Sequence, residues 1–180
     1  SGEQVLEEDD YETELIIDGE DARTEILLSI HEAKKSIRVR MFMWRDDSAG
    51  NMILRALEKK AEIFPDIQIY IEKDSFGTLV YNLQNIVTFG RKKGDIFSTV
   101  KGKTFLKTHP NISLKYVGSW MPLSVRYVEN NDHSKVFVFD EDTENVHALV
   151  GGMNMSDEYL SAKEKNSPEL GWHDYMVKIR

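Results

Sequence analysis

The chain contains 180 residues, of which 41% are apolar and 30% are charged, a balance typical of one globular domain rather than of a disordered or membrane-spanning chain. Its formal net charge of −8 makes nucleic acid an unexpected partner, because duplex binding rests on cationic side chains that neutralise phosphates. Cysteine is absent, so disulfide bonds, thiolate zinc sites and cysteine nucleophiles are excluded.

The chain divides into two segments of different composition. Residues 1–14 are mostly acidic and polar and are predicted to form a flexible tail, whereas residues 15–180 are predicted to form a single domain. No stretch approaches the ~20 apolar residues of a membrane span. The first residues also lack the basic start and apolar core of a signal peptide. We therefore expect the protein at the cytoplasmic face of a membrane or peripheral to it.

The first half of the domain shows alternating strand and helix patterns. Apolar residues with period two predict strands at residues 36–44 and 67–72, and residues 15–19 are predicted to form a short strand or the end of one. Helical spacing predicts one helix from Asp21 onward and a second one capped by Asp47. This order predicts an α/β fold, with a mixed, mostly parallel β-sheet sandwiched by helices and joined by right-handed crossovers.

Residues 91–107 concentrate positive charge on an otherwise acidic chain. In this segment one acid, Asp95, stands against six basic residues: Arg91, Lys92, Lys93, Lys101, Lys103 and Lys107. Aromatic residues lie between them, a mixture expected of a surface that binds phosphate or anionic lipid. An equal alternative is that this segment is a solvent-exposed loop that contributes a few aromatic residues to the core. The following loop carries Trp120, which either contacts lipid or plugs the core.

A compact group of polar residues follows in the second half. His133 and Lys135 lie two residues apart on a run rich in Val and Phe, so a strand would project both from one face. Asp140 is seven residues from His133, an odd offset, and is expected to brace the site rather than to touch a substrate. The return strand of a short hairpin would deliver Asn154 beside His133. An imidazole nucleophile, an ammonium and an amide donor together suit a phosphodiester and require no metal.

The spacing of these residues resembles the signature of the phospholipase D superfamily, H-x-K-x-x-x-x-D followed by G-G/S-x-N. The signature is filled without a gap by His133, Lys135, Asp140, Gly151, Gly152 and Asn154. Residues 151–159 and 171–179 resemble the bacterial cardiolipin synthase branch in particular. The resemblance extends from about Leu15 to the last residue. One departure matters, because enzymes of this type carry two such motifs and this sequence has one.

The resemblance implies phosphatidyl transfer on a phospholipid substrate through a phosphohistidine on His133. Lys135, Asn154 and Gly152 would hold the phosphate oxygens, and Asp140 would fix local hydrogen bonds. It implies neither a cofactor nor a metal. A second motif would supply the acid for the leaving alcohol, from a further repeat or from a homodimer partner. We favour the further repeat, because the two longer segments resemble two-motif synthases.

Two other functions stay open at this point. A homodimeric single-motif phosphodiesterase or nuclease would use the same chemistry, although the acidic balance of the chain counts against a nucleic-acid substrate. A non-catalytic module could instead bind anionic lipid through residues 91–107.

Overall fold

The fold is built on one seven-stranded sheet, seen in a computed structural model that describes residues 11–118, 133–161 and 173–180. Across the sheet the strand order is β1-β7-β6-β5-β2-β3-β4. The strands are β1 (Thr13–Ile17), β2 (Ser36–Met41), β3 (Gln68–Asp74), β4 (Ile112–Val117), β5 (Lys135–Phe139), β6 (His147–Gly151) and β7 (Tyr175–Ile179).

Five α-helices accompany the sheet in the described part of the chain. They are α1 (Gly19–Glu32), α2 (Ser48–Ile63), α3 (Ser75–Val87), α4 (Val100–Thr108) and α5 (Asp157–Leu160). A single 3-10 turn, Ile96–Ser98, precedes α4. Asp47 caps α2 as the sequence predicts, since its carboxylate accepts a hydrogen bond from the Gly50 amide at 3.0 Å. Asp74 caps α3 in the same way.

The sheet is mixed, as predicted, but it is not mostly parallel. Among the described strands, the parallel pairs are β2–β3 and β3–β4, and the other four pairs are antiparallel. The helical crossovers of the first half do produce parallel neighbours. After β4, however, the chain returns to the other side of β2, and β5, β6 and β7 follow as an antiparallel meander.

One face of the sheet carries the hydrophobic core. Buried side chains of neighbouring strands line up on it: Ile37 and Val39 in β2, Ile69 and Ile71 in β3, Phe137 and Phe139 in β5, and Leu149 in β6. Buried residues of α1, α2 and α4 complete the same cluster, so these helices cover this face.

The opposite face, which we call the open face, is largely uncovered by the described residues. Its side chains Leu15, Ile17 and Tyr175 are 60%, 56% and 58% exposed. A second layer of helices on this face, expected from the sequence, is therefore not seen in the described part of the chain.

The beginning of the domain differs slightly from the sequence prediction. Thr13 and Glu14 belong to β1 and pair with β7, although they were assigned to the tail. Residues 1–10 lie outside the described residues. Among the helices that are described, none combines the length and apolar character needed to cross a bilayer.

Candidate active site

Several strand ends meet at one end of the sheet, which we call the motif end. The parallel strands β2 and β3 finish there, and because β5 is antiparallel to β2 it begins there. His133 lies two residues before β5, Lys135 is its first residue, and Asn154 lies three residues after β6. The topology therefore gathers the three predicted residues at one place.

His133 and Lys135 are in direct contact. The Lys135 ammonium lies 2.9 Å from His133 Nδ1 and donates a hydrogen bond of 2.6 Å to the His133 carbonyl. Lys135 is only 3% exposed. Because a desolvated ammonium strongly attracts anions, the contact places a positive charge directly beside the imidazole nitrogen.

Phe42, directly after β2, supports this pair, although the sequence analysis did not identify it. Its ring centroid lies 4.4 Å from that of the His133 imidazole, and the Lys135 ammonium lies 5.2 Å from the same ring. The Phe42 carbonyl accepts a hydrogen bond from Lys73 at 3.1 Å. It also abuts Gly77, where a Cβ atom would lie 2.1 Å from this oxygen. The loop after β2 is thus held rigidly against the imidazole.

Lys73 is held in turn by Asp95. The two charged groups are 3.2 Å apart and both side chains are fully buried. Burial lowers the pKa of Lys73, and the Asp95 carboxylate opposes that shift. One sequence signal could have revealed Lys73, because it occupies the third inward position of β3, after Ile69 and Ile71, where an apolar residue is expected.

Asn154 links the second half of the motif to the loop after β2. It is 1% exposed, and its Oδ1 atom accepts a hydrogen bond of 3.0 Å from the Met43 amide. It also hydrogen-bonds to Tyr159. Burial raises the pKa of the Tyr159 phenol, and the hydrogen bond with Asn154 partly opposes this shift. The orientation of Asn154 is therefore fixed by Met43 and Tyr159.

Gly152 contacts Tyr175 and Asp174. Its amide donates to the Tyr175 carbonyl at 3.3 Å, so it is engaged within the sheet. A Cβ atom at this position would lie 2.5 Å from an Asp174 carboxylate oxygen. The contacts thus show Gly152 making room for Asp174 and show no amide directed at a phosphate position.

The structure does not bring Asp140 to the motif end. This residue follows the far end of β5, where its carboxylate accepts hydrogen bonds from the amides of Lys34, Lys35 and Ser36 at 2.8, 2.7 and 3.2 Å. A catalytic role for Asp140 does not fit this position. The bracing role fits, since Asp140 fastens the turn between α1 and β2.

The basic residues predicted as an anion surface are all exposed. They are Arg91, Lys92, Lys93, Lys101 and Lys103. Two aromatic residues between them, Phe97 and Phe105, are buried in the core, as the alternative interpretation expects. Trp120 lies outside the described residues.

One group of side chains could hold a metal ion, away from the motif. Among the described residues, Glu58 and Glu62 of α2 and His109 after α4 have ligand atoms within 4.8 Å of one another. The His109 Nε2 atom lies 3.6 Å from Glu62.

The chain is similar to known proteins both in sequence and in fold. No family model matches the chain. Cardiolipin synthase from Listeria monocytogenes is 26% identical over 170 residues, covering 94% of this chain. Phosphatidylserine synthase from Haemophilus influenzae matches 93% of the chain with a TM-score of 0.60 and 24% identity, and the phospholipase D family member Nuc from Salmonella typhimurium matches 94% with 0.54 and 20%. These similarities support the phospholipase D superfamily as the family of this chain.

The members of the superfamily differ in how much of their length this chain covers. It spans 30% of the Listeria cardiolipin synthase and 32% of the Haemophilus phosphatidylserine synthase, but 82% of Nuc. The mixed sheet with helices is the fold that the phospholipase D resemblance implied.

Proposed function

We propose that this chain supplies one half of a phospholipase D-type phosphatidyl-transfer site, with His133 as the nucleophile. The observation that carries the proposal is the contact between His133 and Lys135 at the end of the sheet where Asn154 is also fixed. The cardiolipin synthase relative, which aligns over 94% of the chain, supports a phospholipid as the substrate.

In the first step a ring nitrogen of His133 bonds to phosphorus as the bond to the leaving alcohol breaks. Lys135 is placed to compensate the charge on the non-bridging oxygens, and the Asn154 amide to hold one of them. The leaving oxygen takes a proton from a second histidine on the opposite side of phosphorus. An acceptor hydroxyl then gives its proton to that histidine and displaces His133, so that water yields hydrolysis and an alcohol yields transfer.

In-line displacement needs groups on both sides of phosphorus, and the motif found here supplies one of them. We infer that the second motif belongs to a further repeat of the same fold. The chain covers only 30% and 32% of the length of the two synthases, which supports this arrangement.

A homodimeric single-motif phosphodiesterase is the second candidate. The match to 82% of Nuc favours it, because a protein with one motif would need a second copy to complete the site. Light scattering on this chain, run together with turnover of a chromogenic phosphodiester, separates the candidates. An active dimer supports the homodimer, and an inactive monomer supports the further repeat.

The nucleophile is tested by His133→Ala in the protein with both motifs. We expect turnover to fall to the uncatalysed background with the fold intact, because the proposed covalent intermediate forms on this imidazole. His147→Ala is the matched control, since His147 lies at the other end of the hairpin and contacts Ser29. Retained turnover in His133→Ala would overturn the nucleophile assignment.

A further inference from the structure

The C-terminal end of α3 presents apolar side chains to solvent. Leu83, Ile86 and Val87 lie at helical spacing on one side of α3 and are 49%, 67% and 69% exposed. Phe89, just past the helix, is 93% exposed. We call these four residues the α3 tip. An exposed apolar cluster of this kind typically marks a binding surface.

Phe89 has two features that are unfavourable for a protein in water, its exposed ring and its backbone conformation. Its φ angle is +52°, in the left-handed region that usually takes glycine at the end of a helix. The next amide, that of Gly90, bonds back to the Asn85 carbonyl at 2.8 Å, which completes a helix-ending motif around Phe89. A large apolar ring is thus held in solvent by a backbone conformation that disfavours side chains, and the cost of exposing the ring would be removed if the ring entered an apolar phase.

Positive charge follows the α3 tip directly. Arg91, Lys92 and Lys93 are all exposed, on a chain whose net charge is −8. Lys92 pairs with Glu158 at 3.1 Å, so this one charge is partly compensated. An apolar tip next to a cluster of cations matches a bilayer surface, in which acyl chains lie beneath anionic head groups.

The α3 tip is also tied to the motif end. The buried Arg45 guanidinium lies over the Tyr81 ring at 3.7 Å and donates to the Gln84 side chain at 2.8 Å and to the Lys93 carbonyl at 2.7 Å. Arg45 belongs to the loop after β2 that carries Phe42. A membrane bound to the α3 tip would therefore lie at a fixed position relative to His133.

From these observations we propose that the α3 tip inserts into the surface of an anionic phospholipid bilayer, with Arg91 and Lys93 contacting the head groups. This binding surface stands on the exposure, strain and charge of these residues. Only its use, to hold the motif end against lipid, rests on the proposed function.

Vesicle flotation of this chain tests the proposal with two compositions, phosphatidylcholine alone and phosphatidylcholine mixed with phosphatidylglycerol. We expect binding to the mixed vesicles that weakens as salt is added, because the head-group contribution is screened. The triple variant Ile86→Ser, Val87→Ser, Phe89→Ser should weaken binding by about tenfold or more. Arg91→Gln with Lys93→Gln should remove most of the preference for the anionic vesicles.

Ile63→Ser is the matched control, because Ile63 is an apolar side chain of similar exposure, 58%, at the C-terminal end of a different helix, α2. It should bind as the wild type does. A further readout is Phe89→Trp, whose added indole emission should shift to the blue when mixed vesicles are present.

Three results would overturn the proposal: no binding of the wild type to the mixed vesicles, equal binding of the triple variant, or equal loss in Ile63→Ser. Self-association that the triple variant abolishes, without vesicle binding, would assign the α3 tip to a protein partner instead. His133→Ala should bind vesicles normally, so a failure of the proposed chemistry and a failure of membrane binding are separately visible.

Discussion

At each end of the sheet a buried lysine donates hydrogen bonds to main-chain carbonyls. The two ends differ in what these hydrogen bonds support. At the motif end, Lys73 holds the Phe42 carbonyl, and the Phe42 ring lies against His133. At the opposite end, Lys60 donates to the Ala33 carbonyl at 2.8 Å, close to the turn that Asp140 fastens. Burial lowers the pKa of Lys60, and Asp140 opposes the shift, as Asp95 does for Lys73.

The difference lies in what each network presents to solvent. At the opposite end the network joins α1, α2 and β5 and leaves no reactive group in place. At the motif end the network supports two adjacent basic side chains, His133 and Lys135. A contact between two basic groups does not by itself favour stability. We therefore expect substitutions at the motif end to change activity more than stability, and substitutions at the opposite end to do the reverse.

Lys135→Ala should produce the largest effect of the three tests. Loss of the ammonium removes a group that acts on charge developing in the transition state, so kcat should fall about 10²–10³-fold in the protein with both motifs. The urea midpoint should change little, because removing a buried cation also removes its desolvation cost. A large fall in stability with kcat per folded molecule unchanged would contradict the assignment of this end of the sheet.

Asp140→Ala should show the reverse pattern, with a somewhat smaller effect. It deprives three main-chain amides of their acceptor and places alanine at a φ angle of +53°, so we expect a loss of about 2–4 kcal/mol in the free energy of unfolding. Asp140→Asn keeps an oxygen acceptor and tolerates the same backbone, and it should lose less. Turnover per folded molecule should be unchanged in both variants, and a selective fall in kcat would contradict a purely bracing role for Asp140.

The smallest effect concerns pH. Burial raises the pKa of Asp47 from 3.8 to about 6. Between these values the folded protein keeps a proton that the unfolded chain loses, so the Asp47 contribution to stability is present at low pH and is lost as pH rises through about 6. Asp47→Asn retains a helix cap without this titration. Denaturation at about pH 4 and about pH 7 should therefore show the variant gaining on the wild type at the higher pH, and a constant difference would contradict the shift.

Local patterns predicted much of the first half of the fold. Helical spacing and the Asp47 cap identified α1 and α2, and alternation identified β2 and β3. The start of α3 was not predicted, because the capping role of Asp74 is not visible without its bonded partners. The antiparallel pairing of the other strands was missed, since alternation is the same in parallel and antiparallel strands.

The motif was predictable because its residues are close in sequence, whereas their supports come from far along the chain. Phe42 and His133 are separated by 91 positions, and nothing local to either indicates the contact between their rings. The same holds for the pair of Lys73 and Asp95. Only the unusual inward position of Lys73 in β3 carried a signal.

The open face has a practical consequence for experiments in solution. Leu15, Ile17 and Tyr175 form a flat apolar surface through which two molecules could associate without any relation to catalysis. Dimer formation measured by light scattering therefore has to be repeated with Tyr175→Lys. If that variant becomes monomeric while a bound phosphate analogue still perturbs His133 in the same way, the dimer forms through the open face and not through a shared active site.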